Sequence, residues 1–432
     1  MTLPKEFETY TRSLMGDNIY SAFVDAMTKE PPTSIRINPL KTDAESVKIA
    51  NEAARVPWSK YGYYLTDRPA FTFDPLFHAG VYYVQEAASM FIDHVVRQTF
   101  GNAPLCVLDL CAAPGGKSTC AMSALPKDSL LFSNEPIRTR AMVLAENITK
   151  FGSCNIVVTN NYPADYKKAK MTFDAIIADV PCSGEGMFRK DEGAIAEWSL
   201  GNVEKCRNLQ RSIINDIWPC LKAGGIMVYS TCTFNEHEDE ENVEWIANEL
   251  GADIIEVETE KEWNITGALK ANIAAYRFIP GVSKGEGLFM AILRKHGNNE
   301  KADDKNTLIK KATKQLKIIG YGIKAPTIKG KQTIPDHSEA MMIDSNAGSY
   351  PPVEISYEQA IAYLRHESIV LQADAPKGIV ILCYKGVNLG FAKNLGNRAN
   401  NLYPQEWRIK STHIPTEFND VVETYIYNKK RT

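Results

Sequence analysis

Apolar residues recur at helical spacing from Phe7 to Met27, which predicts an amphipathic helix near the start of the chain. Pro31-Pro32 ends it, and Ser34-Ile35-Arg36-Ile37-Asn38 reads as a short strand followed by aromatic-rich segments through Phe77. From about residue 81 to 295 the texture changes. Strand-like and helix-like segments alternate there, the mark of a doubly wound parallel sheet and an α/β fold. Strands are predicted at 105–110, 130–134, 155–159, 173–179 and 225–230, with helices starting near Lys117, Pro136, Trp198 and His237. Two further apolar runs, 275–279 and 288–294, lie too close for a helical crossover and predict a hairpin. Residues 297–307 are polar and charged and read as a linker. A lysine-rich stretch follows, with Lys310, Lys311, Lys314, Lys317, Lys324, Lys329 and Lys331. The last hundred residues carry short strands, 378–383 among them, separated by turns. The expected organisation is an N-terminal α+β domain over 1–80, a main α/β domain over 81–296, a linker over 297–309 and a C-terminal region over 310–432.

Composition narrows this picture only a little. The 432 residues are 44% hydrophobic and 23% charged with a net charge of −3, and a near-neutral total does not exclude nucleic acid, which binds to local patches. The first residues lack the charged and apolar regions of a signal peptide, and no apolar run reaches the ~20 residues that span a bilayer. A cytoplasmic protein without membrane contact is expected. Nine cysteines, none in a C-x-x-C pair, suit neither a disulfide scaffold nor a zinc site, so no metal is expected.

Candidate chemistry begins where the run Val107-Leu108-Asp109-Leu110 turns into Cys111-Ala112-Ala113-Pro114-Gly115-Gly116-Lys117-Ser118. A buried strand here enters a helix N-terminus through two glycines that permit close backbone approach. The loop matches neither the G-x-G-x-x-G of dinucleotide sites nor a P-loop, so it offers no cradle for a pyrophosphate. Glu135, at the end of the next strand, stands where an acid accepts hydrogen bonds from ribose hydroxyls. A nucleoside cofactor such as S-adenosylmethionine fits both features.

Two thiols then appear at equivalent places. The apolar run 173–178 ends in Asp179-Val180-Pro181-Cys182-Ser183-Gly184, and the run 226–230 ends in Thr231-Cys232-Thr233-Phe234. Each should lie at the carboxyl edge of one sheet, where such sheets bind ligands. A thiolate can add to the six-position of a pyrimidine and make the five-position nucleophilic enough to take a methyl group. A second thiol nearby could help take the adduct apart. The other cysteines, Cys106, Cys111, Cys120, Cys154, Cys206, Cys220 and Cys383, read as small buried hydrophobes, with Cys111 also able to line the cofactor loop. Asn235-Glu236-His237-Glu238 reads as a capped, acid-rich helix start with His237 in solvent.

The three motifs, Cys111 to Ser118, Asp179 to Gly186 and Ser230 to Thr233, resemble the hallmark motifs of the Nop/Sun family of RNA cytosine-5 methyltransferases. The segments around Ser34–Lys41, Tyr83-Val84-Gln85-Glu86-Ala87-Ala88-Ser89, Gly285-Glu286-Gly287 and 389–398 resemble its bacterial RsmF type. The resemblance implies a Rossmann-like class I methyltransferase sheet, an N-terminal RNA-binding α+β domain and a C-terminal PUA-like RNA-binding domain. It implies that Cys111, Ala112, Ala113, Pro114, Gly115, Gly116, Lys117, Glu135 and Asp179 bind S-adenosylmethionine. It further implies Cys232 as the nucleophile, Asp179 on the edge of the base, and Cys182 assisting proton removal and release. Two positions depart from the family: Asn161 stands where an acid usually contacts the adenine side, and Pro280-Gly281 where Pro-His is common.

RNA binding needs cations for phosphates and flat groups for unstacked bases. Arg36, Lys41, Arg189, Lys190, the lysines from 310 to 331, and Lys393 and Arg398 near Tyr403 and Trp407 are the candidates. The expected function is methylation of cytosine in 16S rRNA, as naked RNA or in the 30S subunit, by a monomer that does not act on DNA. A transfer-RNA methyltransferase and a ribosome-assembly factor without catalysis are the alternatives.

Overall fold

The structure is a computed structural model that describes residues 2–42, 47–298, 300–330, 332–343, 346–411, 413–415, 418 and 420–424. Its centre is a twisted sheet built on β1 (Cys106–Asp109), β2 (Leu130–Asn134), β3 (Ile156–Thr159), β4 (Phe173–Asp179), β5 (Leu221–Thr231), β6 (Ala252–Ile255), β7 (Leu288–Lys295) and β8 (Ile318–Tyr321). The spatial order is β6-β7-β5-β4-β1-β2-β3-β8, with β7 antiparallel to β5 and β8 antiparallel to β3.

These strands are apolar on both sides because both faces are covered. Val107, Leu131, Ile177 and Val228 pack into one core with Phe91, Ile92, Val95 and Leu144. Their neighbours Leu108, Phe132, Ile176 and Met227 pack into the other with Ile214, Ile217, Val243 and Ile246. The predicted hairpin forms: Tyr276–Phe278 pairs antiparallel with β7, Tyr276 opposite Met290 and Phe278 opposite Leu288. β6 was not predicted, because its Ala252-Asp253-Ile254-Ile255 is short and only half apolar, and it gains its place by pairing with β7.

Two differences come from the first and third stretches of the chain. The expected helix spans Lys5–Met27 but is interrupted at Gly16, whose φ of 75° and ψ of 162° are not helical. The helix Lys305–Gln315 buries Leu308 and Ala312 in the same core as β1 and β4, and β8 follows directly. Residues 305–321 are thus part of the central layer structure.

The N-terminal strands run in the order Glu52–Arg55, Gly62–Leu65, Ser34–Ile37, Tyr82–Val84. The C-terminal sheet is Pro352–Glu354, Gly378–Tyr384, Val387–Asn394, Ala399–Asn401. The two units share one hydrophobic core, in which Ile35, Ile37, Tyr63 and Leu76 meet Ile361, Leu364, Leu382 and Val422. The strand Lys48–Ile49 pairs with Val422–Thr424, so the N-terminal unit is tied to a late segment of the C-terminal one. No helix among the described residues is long and apolar enough to cross a membrane.

Candidate active site

β4 and β5 are neighbours in register, with Ser230 opposite Asp179, so the loops that leave them start at the same level. Those loops bring the two predicted thiols together. Cys182 Sγ lies 2.9 Å from Cys232 Sγ, and the Cys232 backbone N–H donates to Cys182 Sγ at 3.3 Å. The hydrogen bond with Cys232, burial and the charges of Cys232 and Glu238 push the Cys182 thiol well above its usual range. Asp179 stands beside them. Ser230 Oγ donates to its Oδ1 at 2.7 Å and Lys117 Nζ to its Oδ2 at 2.9 Å, while 29% of the side chain stays exposed. Burial works against charge on Lys117, but Asp179, with Cys232 and Asp109, outweighs it and raises the amine's pKa.

Buried carboxylates hold the two loops in place. Glu185 accepts from the Phe234 and Asn235 backbone N–H groups at 2.7 and 3.1 Å and from Trp198 Nε1 at 2.9 Å. Glu238 accepts from the Ser183 N–H at 3.0 Å and from Gln210 Nε2 at 2.6 Å. Asn235 Nδ2 donates to both carboxylates. Behind them the fully buried Arg277 pairs with Asp239 and Glu240 at 2.7 Å each and donates to the Phe234 carbonyl. The segment Gly285-Glu286-Gly287 packs against the Cys182 loop so tightly that a Cβ on Gly287 would stand 2.6 Å from Gly186 Cα and 2.6 Å from the Phe234 ring.

The loop expected to hold the cofactor leaves β1 at the same edge. Gly115, with φ at 115°, caps the helix Gly116–Ala124, a left-handed position that favours glycine. Asp109 Oδ2 accepts from Ser118 Oγ at 2.6 Å, whereas its Oδ1 is buried without a hydrogen-bond partner. Burial pushes the Asp109 carboxyl up to about 7. Glu135 Oε1 accepts from the Ile137 N–H at 2.9 Å; its Oε2 is buried without a hydrogen bond, the Arg140 guanidinium standing 3.6 Å away. Asn161 sits at the end of β3, but its amide faces the backbone of Lys317, donating to the carbonyl at 3.2 Å and accepting from the N–H at 3.0 Å.

Several expected RNA contacts are spent inside the protein. Arg36 is buried and donates to Gln85 Oε1, Thr119 Oγ1 and Ser123 Oγ. Lys41 is buried and donates to the Ala79 carbonyl at 2.6 Å. Arg189 pairs with Glu286 and donates to the Ala26 carbonyl at 2.8 Å. Tyr403 is buried too, while Lys190, Lys310, Lys314, Lys317, Lys324 and Arg398 are exposed. Lys393 is half-buried and donates to Gln332, and Lys331 lies outside the described residues. His237 is not free in solvent: it stacks on Tyr10 at 5.8 Å and contacts Glu241 at 2.8 Å, and the helix starts only at Glu240.

Sequence reasoning missed Asp109, Glu185, Glu238 and Arg277. The first had a signal, since Asp109 closes an apolar run at the carboxyl end of a central strand as Asp179 does. Glu185 and Glu238 lie within stretches already singled out, but their backbone partners are 49 and 55 residues away in the chain, and nothing local marks Arg277.

Similarity to known proteins follows the same division. Residues 102–294 match the family 16S rRNA methyltransferase RsmB/F, residues 3–87 the N-terminal domain of 16S rRNA methyltransferase RsmF, and residues 350–409 the methyltransferase RsmF PUA domain. Ribosomal RNA small subunit methyltransferase F of Shewanella sp. (strain ANA-3) is 30% identical over 89% of this chain and 92% of its own length. The protein of that name from Shewanella oneidensis is 30% identical over 93% of this chain and 96% of its own. Among solved structures, PH0851 aligns with a TM-score of 0.59 at 21% identity, over 68% of this chain and 66% of that one. NSun6 from Pyrococcus horikoshii with SFG aligns with 0.57 at 19% identity, over 68% and 99%. The strand order and the loops at its carboxyl edge define a class I methyltransferase with a C-terminal PUA domain. The chain belongs to the RsmF family of 16S rRNA methyltransferases.

Proposed function

We propose that this methyltransferase places a methyl group on carbon 5 of cytosine in 16S rRNA, with Cys232 as the nucleophile and Cys182 as the thiol that lets the product go. The observation that carries the reading is the 2.9 Å approach of the two sulfurs at the ends of adjacent in-register strands. The family and the named relatives supply the RNA class.

S-adenosylmethionine fits the residues present. Two buried carboxylate oxygens, Asp109 Oδ1 and Glu135 Oε2, lack hydrogen-bond donors in the protein, and a buried acceptor without a donor is costly. The cofactor brings donors, an amino group and two ribose hydroxyls. Cys111, Ala112, Ala113, Pro114, Gly115, Gly116 and Lys117 would hold it, with Glu135 on the ribose and Asp179 between it and the base. When bound it supplies an electrophilic methyl group on a sulfonium.

The chain's own groups do the rest. The Lys117 ammonium lies within electrostatic reach of Cys232. Cys182, its pKa raised, keeps a proton and donates it as a hydrogen bond. Cys232 Sγ bonds to carbon 6, and the displaced electron pair makes carbon 5 the nucleophile. The exposed edge of Asp179 accepts from the base. Once Cys232 is bonded to carbon, its hydrogen bond and charge no longer hold the Cys182 proton, which eases loss of that proton to water against the remaining pull of burial and Glu238. The Cys182 thiolate then takes the proton from carbon 5, the double bond re-forms, and the carbon–sulfur bond breaks to return the Cys232 thiolate.

The test is incubation with tritiated S-adenosylmethionine and 16S rRNA. Cys232→Ala abolishes transfer, and Cys182→Ala accumulates a covalent RNA–protein adduct on a denaturing gel. Exchanged phenotypes would make Cys182 the attacking thiol, and RNA binding without transfer by the wild type would favour an assembly factor.

A further inference from the structure

The matched regions stop at 294 and resume at 350, yet the stretch between them is folded onto the methyltransferase sheet. The helix Lys305–Gln315 shares a core with Tyr166, Ala169 and Met171, which belong to the helix Pro163–Lys168 and the turn after it. Lys311 Nζ donates to the Lys170 carbonyl and so ties the two segments together. Farther along, Lys317 Nζ donates to Asn160 Oδ1 at 3.0 Å, two residues from Tyr162, which is 68% exposed.

The two helices thus bury their inner sides in one core, are tied by the Lys311–Lys170 bond, and leave their outer lysines exposed. Lys310 and Lys314, one turn apart, point away from buried Leu308 and Ala312, and Lys167 and Lys168 lie exposed on the neighbouring helix. Acids in the neighbourhood are already committed. Asp303 pairs with Lys311, and Asp165 turns back to the Tyr162 N–H. Among the described residues none of the four outer lysines has a carboxylate partner. In a chain of net charge −3 this concentrates positive charge on one face against the overall balance.

We propose that this face is a second RNA-docking surface, which holds the phosphate backbone of a stretch of 16S rRNA outside the nucleotides in the active cleft, with Tyr162 as a platform for an unstacked base. It rests on the RNA substrate proposed above and adds where the RNA runs. Lysines without counter-ions release the condensed cations of a nucleic acid when they bind it, so their contribution is read from salt dependence. The exposed Tyr ring adds stacking, which is tolerant of sequence. An RNA long enough to reach from the thiols to β8 would engage it, and a short one would not.

The test uses the full chain carrying Lys167→Gln, Lys168→Gln, Lys310→Gln and Lys314→Gln together, with the four Lys→Arg changes as the conservative control. Binding to full-length 16S rRNA and to a short oligonucleotide that fills only the cleft is measured against salt concentration. For the long RNA the slope of log K against log salt should fall by about 3, at ~0.7–0.9 for each lost phosphate contact, and KM should rise about tenfold with kcat unchanged. The short oligonucleotide should bind alike to both proteins, and the Arg variant should behave as wild type. An unchanged slope with the long RNA overturns the proposal, and leaves this face to solvent or to an acidic protein. Equal losses on short and long RNA overturn it as well, since damage then lies in the cleft. If the wild type transfers no methyl but the slope changes as stated, the proposed reaction fails and the docking surface stands.

Discussion

Arg36 Nη2 ends 2.6 Å from Thr119 Oγ1, so a strand of the N-terminal sheet is fastened to the helix that follows the loop after β1. The same guanidinium holds Gln85 Oε1 at 2.8 Å, and the Gln85 side chain lies against Gly116. An arginine that looks like an RNA contact in the sequence therefore braces the loop after β1. Arg36→Met leaves buried partners unpaired, which costs about 2–4 kcal/mol of stability. Cofactor affinity should fall about tenfold by calorimetry at a temperature where the variant is folded. RNA affinity should stay within about twofold, because Arg36 is only 1% exposed and out of reach of a phosphate.

The approach of Cys182 and Cys232 has a redox consequence. With sulfurs 2.9 Å apart, two thiols can lose two protons and two electrons to hydrogen peroxide and form a disulfide, the peroxide leaving as two waters. Mild peroxide should therefore silence methyl transfer with a loss of about two mass units on that peptide pair. Dithiothreitol should restore it. Retained activity after oxidation, or a sulfinic acid in place of the disulfide, would show that the loops do not bring the sulfurs together in solution.

Much of this site was legible because its chemistry is local. The loop after β1 and both Cys tetrads are contiguous stretches that follow apolar runs, and each such run became a parallel strand. Glu135 could be placed because its distance from the first loop is set by one strand–helix–strand unit. Arg277, in contrast, meets Asp239 and Glu240 across 38 and 37 residues of chain, and no periodicity marks such a pair. The cations went wrong for a related reason. Arg36, Lys41 and Arg189 carry charges that a sequence reads as free cations, and it is tertiary packing that buries them. β6 and β8 are short edge strands that acquire their structure from β7 and β3.

Lys41 gives a stability prediction with a definite sign. Burial, helped by the nearby Lys150 charge, lowers its pKa to about 7. Folding therefore favours the uncharged amine. The penalty on the charged form is complete below the folded pKa, shrinks as pH climbs, and disappears above the unfolded value of about 10.4. Lys41→Met removes the penalty and loses the bond to the Ala79 carbonyl. Near neutral pH the variant should melt a few degrees higher than wild type, with the advantage gone by about pH 10. A melting difference that does not depend on pH would mean that Lys41 is not buried in charged form. RNA binding should be unchanged, since the amine faces the protein.

The contact between Gly186 and Gly287 makes a more local prediction. A methyl group at 287 would stand 2.6 Å from both Gly186 Cα and the Phe234 ring, and backbone must move to admit it. Gly186 also donates its N–H to the Cys232 carbonyl at 2.8 Å, so the displacement passes to the Cys232 loop. Gly287→Ala should lower kcat about a hundredfold, as misplacement by about 1 Å does, with cofactor affinity nearly intact. A variant with normal kcat would mean that the loop absorbs the methyl group without moving Cys232.

Asn161 separates two roles that its position allows. It stands at the carboxyl end of β3, where a side chain can meet the adenine side of a cofactor, yet both of its amide atoms pair with the Lys317 backbone. That pairing is the clasp between the sheet and the appended segment, completed by Asn160 accepting from Lys317 Nζ and by β8 pairing with β3. Asn161→Ala should leave cofactor affinity within about threefold, since only a hydrogen bond to an already occupied amide is lost. Hydrogen exchange across Ile318–Tyr321 should quicken about tenfold, the effect of losing roughly 1.4 kcal/mol of local stability. If instead the cofactor dissociates readily while exchange at β8 stays slow, Asn161 turns toward the ligand when it binds, and the clasp is held by the strand pairing alone.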